Sequence, residues 1–128
     1  MIKLNVTAGT LTAGTTIPTT QTFNTNPKFS LANNQVLIKE PGFVEIEGYV
    51  NVTATAAGSI SVSIVEDGTV SGTFAEAAQA SGDTMTIPVY DLIRIAPTNI
   101  VNGYADVSLQ ATTAATITGG TITLKYIR

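Results

Sequence analysis

The feature that most constrains this chain is an alternation between Gly42 and Thr55. Val44, Ile46, Gly48, Val50, Val52 and Ala54 share one parity, and Phe43, Glu45, Glu47, Tyr49, Asn51 and Thr53 share the other. Side chains in a strand point to opposite faces in turn, so a period of two held this long specifies a half-buried β-strand. Ser59–Val65 repeats the pattern, with Ile60, Val62 and Ile64 set against Ser59, Ser61 and Ser63. The two runs, separated by Ala56-Ala57-Gly58, are expected to pair as a hairpin. Glu66-Asp67-Gly68 then supplies turn chemistry, with a glycine free to adopt positive φ.

Further strands are predicted over 84–95, 104–111 and 115–127. Pro88 cannot donate to a ladder, which places it on an edge or at a bulge. Gly119-Gly120 marks a bulge or a close approach of another backbone. Residues 74–80 have helix propensity but are too few to hold a helix alone, so strand or loop serves equally. Seven or eight short strands with frequent turn signals indicate an all-β antiparallel sandwich or jelly roll. The first 27 residues differ from the rest, being Thr-rich with Pro18 and Pro27. Residues 1–30 are expected to form an extended N-terminal arm or first strand, leaving 31–128 as the jelly-roll domain.

Composition removes most enzymatic options. The 128 residues contain no Cys and no His, so thiolate chemistry, an imidazole base and the commonest metal ligands are missing. The carboxylates Glu40, Glu45 and Glu47 read as solvated outward residues rather than a hydrolase pair. Glu66-Asp67-Gly68 lacks the acidic ladder of a calcium loop. No catalytic residue, cofactor or metal is expected. A net charge of −3 with scattered Lys and Arg argues against nucleic acid as a partner, and no apolar run approaches a membrane span. Charged residues are only 12%, while 22 residues are threonine. Thr either fills exposed strand positions or lines surfaces that other subunits cover, where charge would be costly to desolvate. Phe43 and Tyr49 lie opposite the aliphatic parity of their strand. They are surface aromatics or anchors of an oligomer contact.

Four blocks together resemble C1q/TNF-like jelly rolls. Residues 34–46, NQVLIKEPGFVEI, resemble an extended strand followed by Pro-Gly and an aromatic-x-apolar start; residues 61–69, SVSIVEDGT, are similar to the following strand and its hairpin. Residues 81–87, SGDTMTI, look like the Gly-Asp opening of a later strand, and 118–124, TGGTITL, resemble the closing strand. The resemblance implies a homotrimer with the last strand near the threefold axis. Bacterial and phage members of this Thr/Ala-rich style are surface proteins, and this chain lacks both a collagen-like stalk and a signal-peptide pattern.

The expectation is therefore a trimeric decoration protein of a bacteriophage capsid, made in the host cytoplasm and carried on the virion. A receptor- or glycan-binding module of a fibre, tail or spore surface is the alternative. Phe43, Tyr49, Tyr104, Ile122, Leu124 and Tyr126 are the expected trimer contacts. Ile2, Leu4, Val6, Leu11, Ile17 and Phe23, within the 1–27 arm, are expected to attach to the major capsid protein.

Overall fold

Twelve strands, β1 (Ile2–Val6), β2 (Gly9–Leu11), β3 (Thr15–Thr16), β4 (Thr19–Asn24), β5 (Phe29–Ala32), β6 (Gln35–Ile38), β7 (Gly42–Ala54), β8 (Gly58–Glu66), β9 (Thr69–Ala78), β10 (Thr84–Ile95), β11 (Ala105–Ala111) and β12 (Ala115–Ile127), make up most of the chain. A 3₁₀ turn at Pro97–Asn99 is the only helical element among the described residues. The structure is a computed structural model, and it describes residues 1–127.

The strands form two sheets. Sheet 1 runs β10-β7-β12-β1-β4, with β2 added beside β12; sheet 2 runs β5-β6-β11-β8-β9, with β3 added beside β11. Every pairing is antiparallel. The alternation in β7 has the predicted consequence. Val44, Ile46, Val50 and Val52 are buried against Ile60, Val62, Ile64 and Leu109 of the other sheet, a continuous two-sheet core.

The expected hairpin between residues 42–55 and 59–65 does not form. β7 pairs with β10 and β12, whereas β8 pairs with β9 and β11. Thr55-Ala56-Ala57 instead crosses from sheet 1 to sheet 2. Two strands with strong aliphatic faces bury both by stacking across the core, and period two says nothing about which neighbour supplies the hydrogen bonds. The hairpin that does form joins β8 to β9 through Asp67 and Gly68, both at positive φ (48° and 83°) as a type I′ turn requires. Residues 74–80 fall mostly in β9. Pro88 lies on β10, an edge strand, as expected.

The N-terminal segment is not an arm. β1 is inserted between β12 and β4, so Ile2, Leu4 and Val6 point into the core at 0–5% exposure, and Ile17 is fully buried. Leu11 packs partly buried against the same core. Residues 7–18 cross between the sheets, tied down where the Ile17 amide donates to the Leu109 carbonyl and the Gly14 amide to that of Ala111. The boundary at residue 30 has no counterpart, since β5 runs through it. The short apolar parity of Ile2-Lys3-Leu4-Asn5-Val6 is a core face.

Gly48 and Gly120 explain how β7 and β12 come together. The β7–β12 register shifts between Ile117 and Gly119, the bulge expected at the glycine pair. Gly48 and Gly120 sit at φ 155° and 146°. A Cβ on Gly48 would collide with the Thr121 carbonyl and one on Gly120 with that of Tyr49. The close backbone approach is therefore real on both strands.

Candidate interaction surface

The outer face of sheet 1 is built by the parities the core does not use. On β7 these are Phe43, Glu45, Glu47 and Tyr49; on β10 they are Pro88, Tyr90, Leu92 and Arg94. Direct pairing aligns them across the strands. Arg94, Phe43 and Ile127 form one row, and Leu92, Glu45 and Lys125 the next. Tyr90, Glu47, Thr123, Lys3 and Phe23 form a third row, and Pro88, Tyr49, Thr121 and Asn5 a fourth. Ten large hydrophobic side chains are exposed among the described residues. Six of them (Phe23, Phe43, Tyr49, Tyr90, Leu92 and Ile127) lie on this one face.

A small polar network sits among them. Glu45 accepts a hydrogen bond from the Tyr90 hydroxyl (3.1 Å) and pairs with the Lys125 ammonium at 3.2 Å, leaving its own side chain 17% exposed. The hydrogen bond to Glu45, followed by the charge of that carboxylate, raises the Tyr90 phenol above its ordinary 10.0. Glu47, Gly48, Tyr49, Tyr90, Thr121 and Thr123 outline a shallow groove of about 360 Å³ at the centre of the face. The outer face of sheet 2 has a different chemistry. Ser63 is enclosed by hydrogen bonds to Thr73 and Thr112, and Ser61, Ala75, Ser59 and Ala77 continue the same face along β8 and β9. Small hydroxyl and methyl groups replace rings.

Of the residues expected at a trimer contact, Phe43 and Tyr49 are on this face, 49% and 42% exposed. Ile122 and Leu124 are not: at 2% exposure they belong to the protomer's own core and cannot meet a neighbour. Tyr126 also points inward, stacked on Phe29 with ring centroids 5.0 Å apart, and its hydroxyl donates to the Glu40 carbonyl at 2.8 Å. Tyr104 lies off the face, in the connection between β10 and β11. Of the residues expected to reach a capsid, Phe23 alone is exposed on a sheet face, beside Lys3. Ile2, Leu4, Val6 and Ile17 are core, and Leu11 is half-buried. Tyr90 and Leu92 escaped the sequence reading. Their parity, opposite Ile87, Val89, Ile93 and Ile95, was the signal, and Pro88 interrupted it.

The two ends of the sandwich also differ. At one end lie the connections 12–14, 55–57, 79–83 and 112–114, whose only charge is Asp83. That carboxylate accepts the amides of Gln79 and Ala80 at 2.9 and 3.0 Å. Backbone bonds brace the loops: Gly82 to Ala54, and Thr112 to Ser61. At the opposite end lie Lys28, Lys39, Glu40, Glu66, Asp67 and Asp106. The Glu66 carboxyl is pushed up from 4.5 by burial and by the charges of Asp67 and Asp91, and Asp106 is pushed up from 3.8 by burial and Asp67. No group of three or more potential metal ligands occurs among the described residues.

No protein-family model matches the chain, and no curated protein matches it in sequence. Its fold does have relatives among solved structures. Murine APRIL at pH 5.0 superposes with a TM-score of 0.71 at 7% identity, over 94% of this chain and 97% of that one. Eiger TNF from S. frugiperda superposes with a TM-score of 0.67 at 7% identity, over 99% and 93%. At such identities the likeness is one of architecture. The chain has a TNF-like jelly-roll fold.

Proposed function

We propose that this protein is a non-enzymatic structural component that acts as a homotrimer and decorates the capsid of a bacteriophage. The observation that carries the self-association is the concentration of six exposed large hydrophobic side chains on the outer face of sheet 1. Water-exposed apolar groups gathered on one face gain free energy when a second surface covers them. Phe43, Tyr49, Tyr90 and Leu92 supply the buried anchors, and the Tyr90–Glu45–Lys125 network supplies satisfied polar contacts between them.

The shell-facing surface in this reading is the nearly charge-free end of the sandwich. Its Thr, Ala and Gly loops meet a protein surface without stripping water from charges. Their bracing bonds also limit the ordering cost of association. Bound trimers then stabilise the assembled head by mass action, because they bind the shell and not its separated subunits.

Light scattering after size exclusion tests the first part, with a mass about three times the protomer's 13.2 kDa expected. Co-sedimentation with heads of the phage tests the second. Charges introduced as Ala13→Arg and Ala56→Glu should release trimers from heads while leaving them trimeric. Failure of the wild-type protein to sediment with heads, or its absence from purified virions, would refute decoration.

A further inference from the structure

Asn102-Gly103 is the one Asn-Gly step in the sequence, and it falls in the connection between β10 and β11. All four residues from Val101 to Tyr104 are exposed. Asn102 and Gly103, at φ 55° and 92°, form a two-residue turn. The Val101 amide donates to the Tyr104 carbonyl (3.0 Å), and the Tyr104 amide to that of Val101 (3.3 Å). This bridge belongs to no strand. The Gly103 amide itself donates to no group among the described residues, and nothing lies within 4 Å of where a Gly103 Cβ would stand.

The other asparagines are held or shielded. Side-chain hydrogen bonds engage Asn24, Asn26, Asn34, Asn51 and Asn99. Asn26 also precedes Pro27, whose nitrogen has no hydrogen to give up. Asn5 lies inside β1, paired with β12 on one side and β4 on the other. Asn33, at φ 51°, is in a comparable turn, but the residue after it is Asn34, whose side chain accepts the Thr19 amide. Among the described residues, Asn102 alone joins a side-chain amide without a hydrogen bond to a following N–H that no side chain crowds.

We infer that Asn102 is a site of spontaneous covalent modification, losing its side-chain ammonia to attack by the next main-chain nitrogen. The Gly103 nitrogen gives its proton to solvent base and bonds to Asn102 Cγ. The Cγ–Nδ2 bond breaks, and Nδ2 leaves as ammonia with a proton from water. A cyclic imide remains. Water then opens it at either carbonyl. Opening at Cγ gives aspartate, and opening at the main-chain carbonyl gives isoaspartate, with the backbone rerouted through the side chain. Water is the one reactant consumed, and nothing is oxidised or reduced. The turn has to rotate before the nitrogen can reach Cγ, and the two Val101–Tyr104 bonds are what oppose it. Opening so small a unit costs far less than unfolding the domain. Either product adds one negative charge to the chain's −3, at the end of the sandwich that already holds Glu66, Asp67 and Asp106. The site lies off the sheet-1 face, so the inference stands apart from self-association.

Incubating the purified protein in mildly alkaline buffer, followed by anion exchange and tandem mass spectrometry, tests it. A more acidic species should accumulate, its mass changed by the exchange of ammonia for water. Fragmentation should place that change at Asn102 ahead of every other asparagine. Asn102→Ser, at an exposed position, should remove most of the species. Circular dichroism checks that this variant keeps its β signal, and Asn102→Gly, suited to the positive φ, replaces it otherwise. A sample unfolded in guanidinium chloride is run alongside. An Asn102 that stays intact while the unfolded chain converts overturns the inference, because the turn then shields its own reactive step. Conversion of Asn33 or another asparagine first, or an acidic species undiminished in the Asn102 variant, overturns it as well.

Discussion

Alanine at Gly48 would drive a methyl group into the Thr121 carbonyl oxygen and to 2.9 Å from the Ile122 Cα, at a φ of 155°. Two costs add. Holding a side chain at that φ is worth roughly 1–3 kcal/mol of strain. Pushing β12 away from β7 to make room weakens one or two ladder bonds, each worth roughly 0.5–1.5 kcal/mol. The expected loss is about 1.5–6 kcal/mol. For a domain of this size that lowers the melting midpoint by roughly 5–30 °C. The neighbouring glycines separate the two causes. Gly119 has a similar φ of 152° but nothing within 4 Å of an added Cβ, so Gly119→Ala carries the strain alone, about 1–3 kcal/mol. Gly9 has neither obstacle, and Gly9→Ala should be neutral or stabilise by up to about 1 kcal/mol. Urea unfolding of the four proteins at one protomer concentration gives the order, the concentration being fixed because association contributes to apparent stability. If Gly48→Ala costs no more than Gly119→Ala, the close approach of β7 and β12 is not what requires the glycine.

Three further outcomes are expected. Thr19 has a buried hydroxyl with no hydrogen-bond partner among the described residues, so Thr19→Val should raise unfolding free energy by about 1–2 kcal/mol in the same urea assay. Tyr126→Phe keeps the stack on Phe29 and removes the bond to the Glu40 carbonyl, so a loss of about 1 kcal/mol is expected. Glu66 and Asp106 have folded-state values raised above the ordinary 4.5 and 3.8. The native state therefore holds their protons more tightly, and these groups cost stability at neutral pH. That cost disappears as pH falls through the raised values toward the ordinary ones. A Glu66→Gln, Asp106→Asn double variant should be more stable than wild type at pH 7 and should show a smaller gain on acidification; an unchanged pH profile would count against the assignment.

What could be read from the residues was direction, and what could not be read was partnership. The parity of Val44, Ile46, Val50 and Val52 marks the core correctly, because burial acts on each side chain where it stands. The same rule fixes Ile60, Val62 and Ile64, yet it could not tell that these two strands belong to different sheets. Hydrogen-bond partners lie far away in sequence and leave no local trace. β1 illustrates the cost: five residues of alternation, followed by Thr, Gly and Pro, look like a loose arm until β12 and β4 take their places beside it. Ile122, Leu124 and Tyr126 do share a face, as the sequence indicated, but it is the inner one. The opposite parity of β12 carries Thr121, Thr123 and Lys125, so alternation itself places Ile122 and Leu124 in the protomer's core; the expectation of a trimer contact there followed the family resemblance. The candidate surface was partly legible for the same reason. Phe43 and Tyr49 stand out against an aliphatic parity, whereas Tyr90 and Leu92 follow a proline that breaks the eye's count.

The position of β1 has a consequence for how the molecule is made. Residues 2–5 align with residues 121–124, so sheet 1 stays split until β12 has left the ribosome. Its early strands wait with one flank open, and closure joins segments more than a hundred residues apart. Such a topology is expected to mature slowly, and a nascent chain stalled before β12 should be a ready substrate for proteases and chaperones.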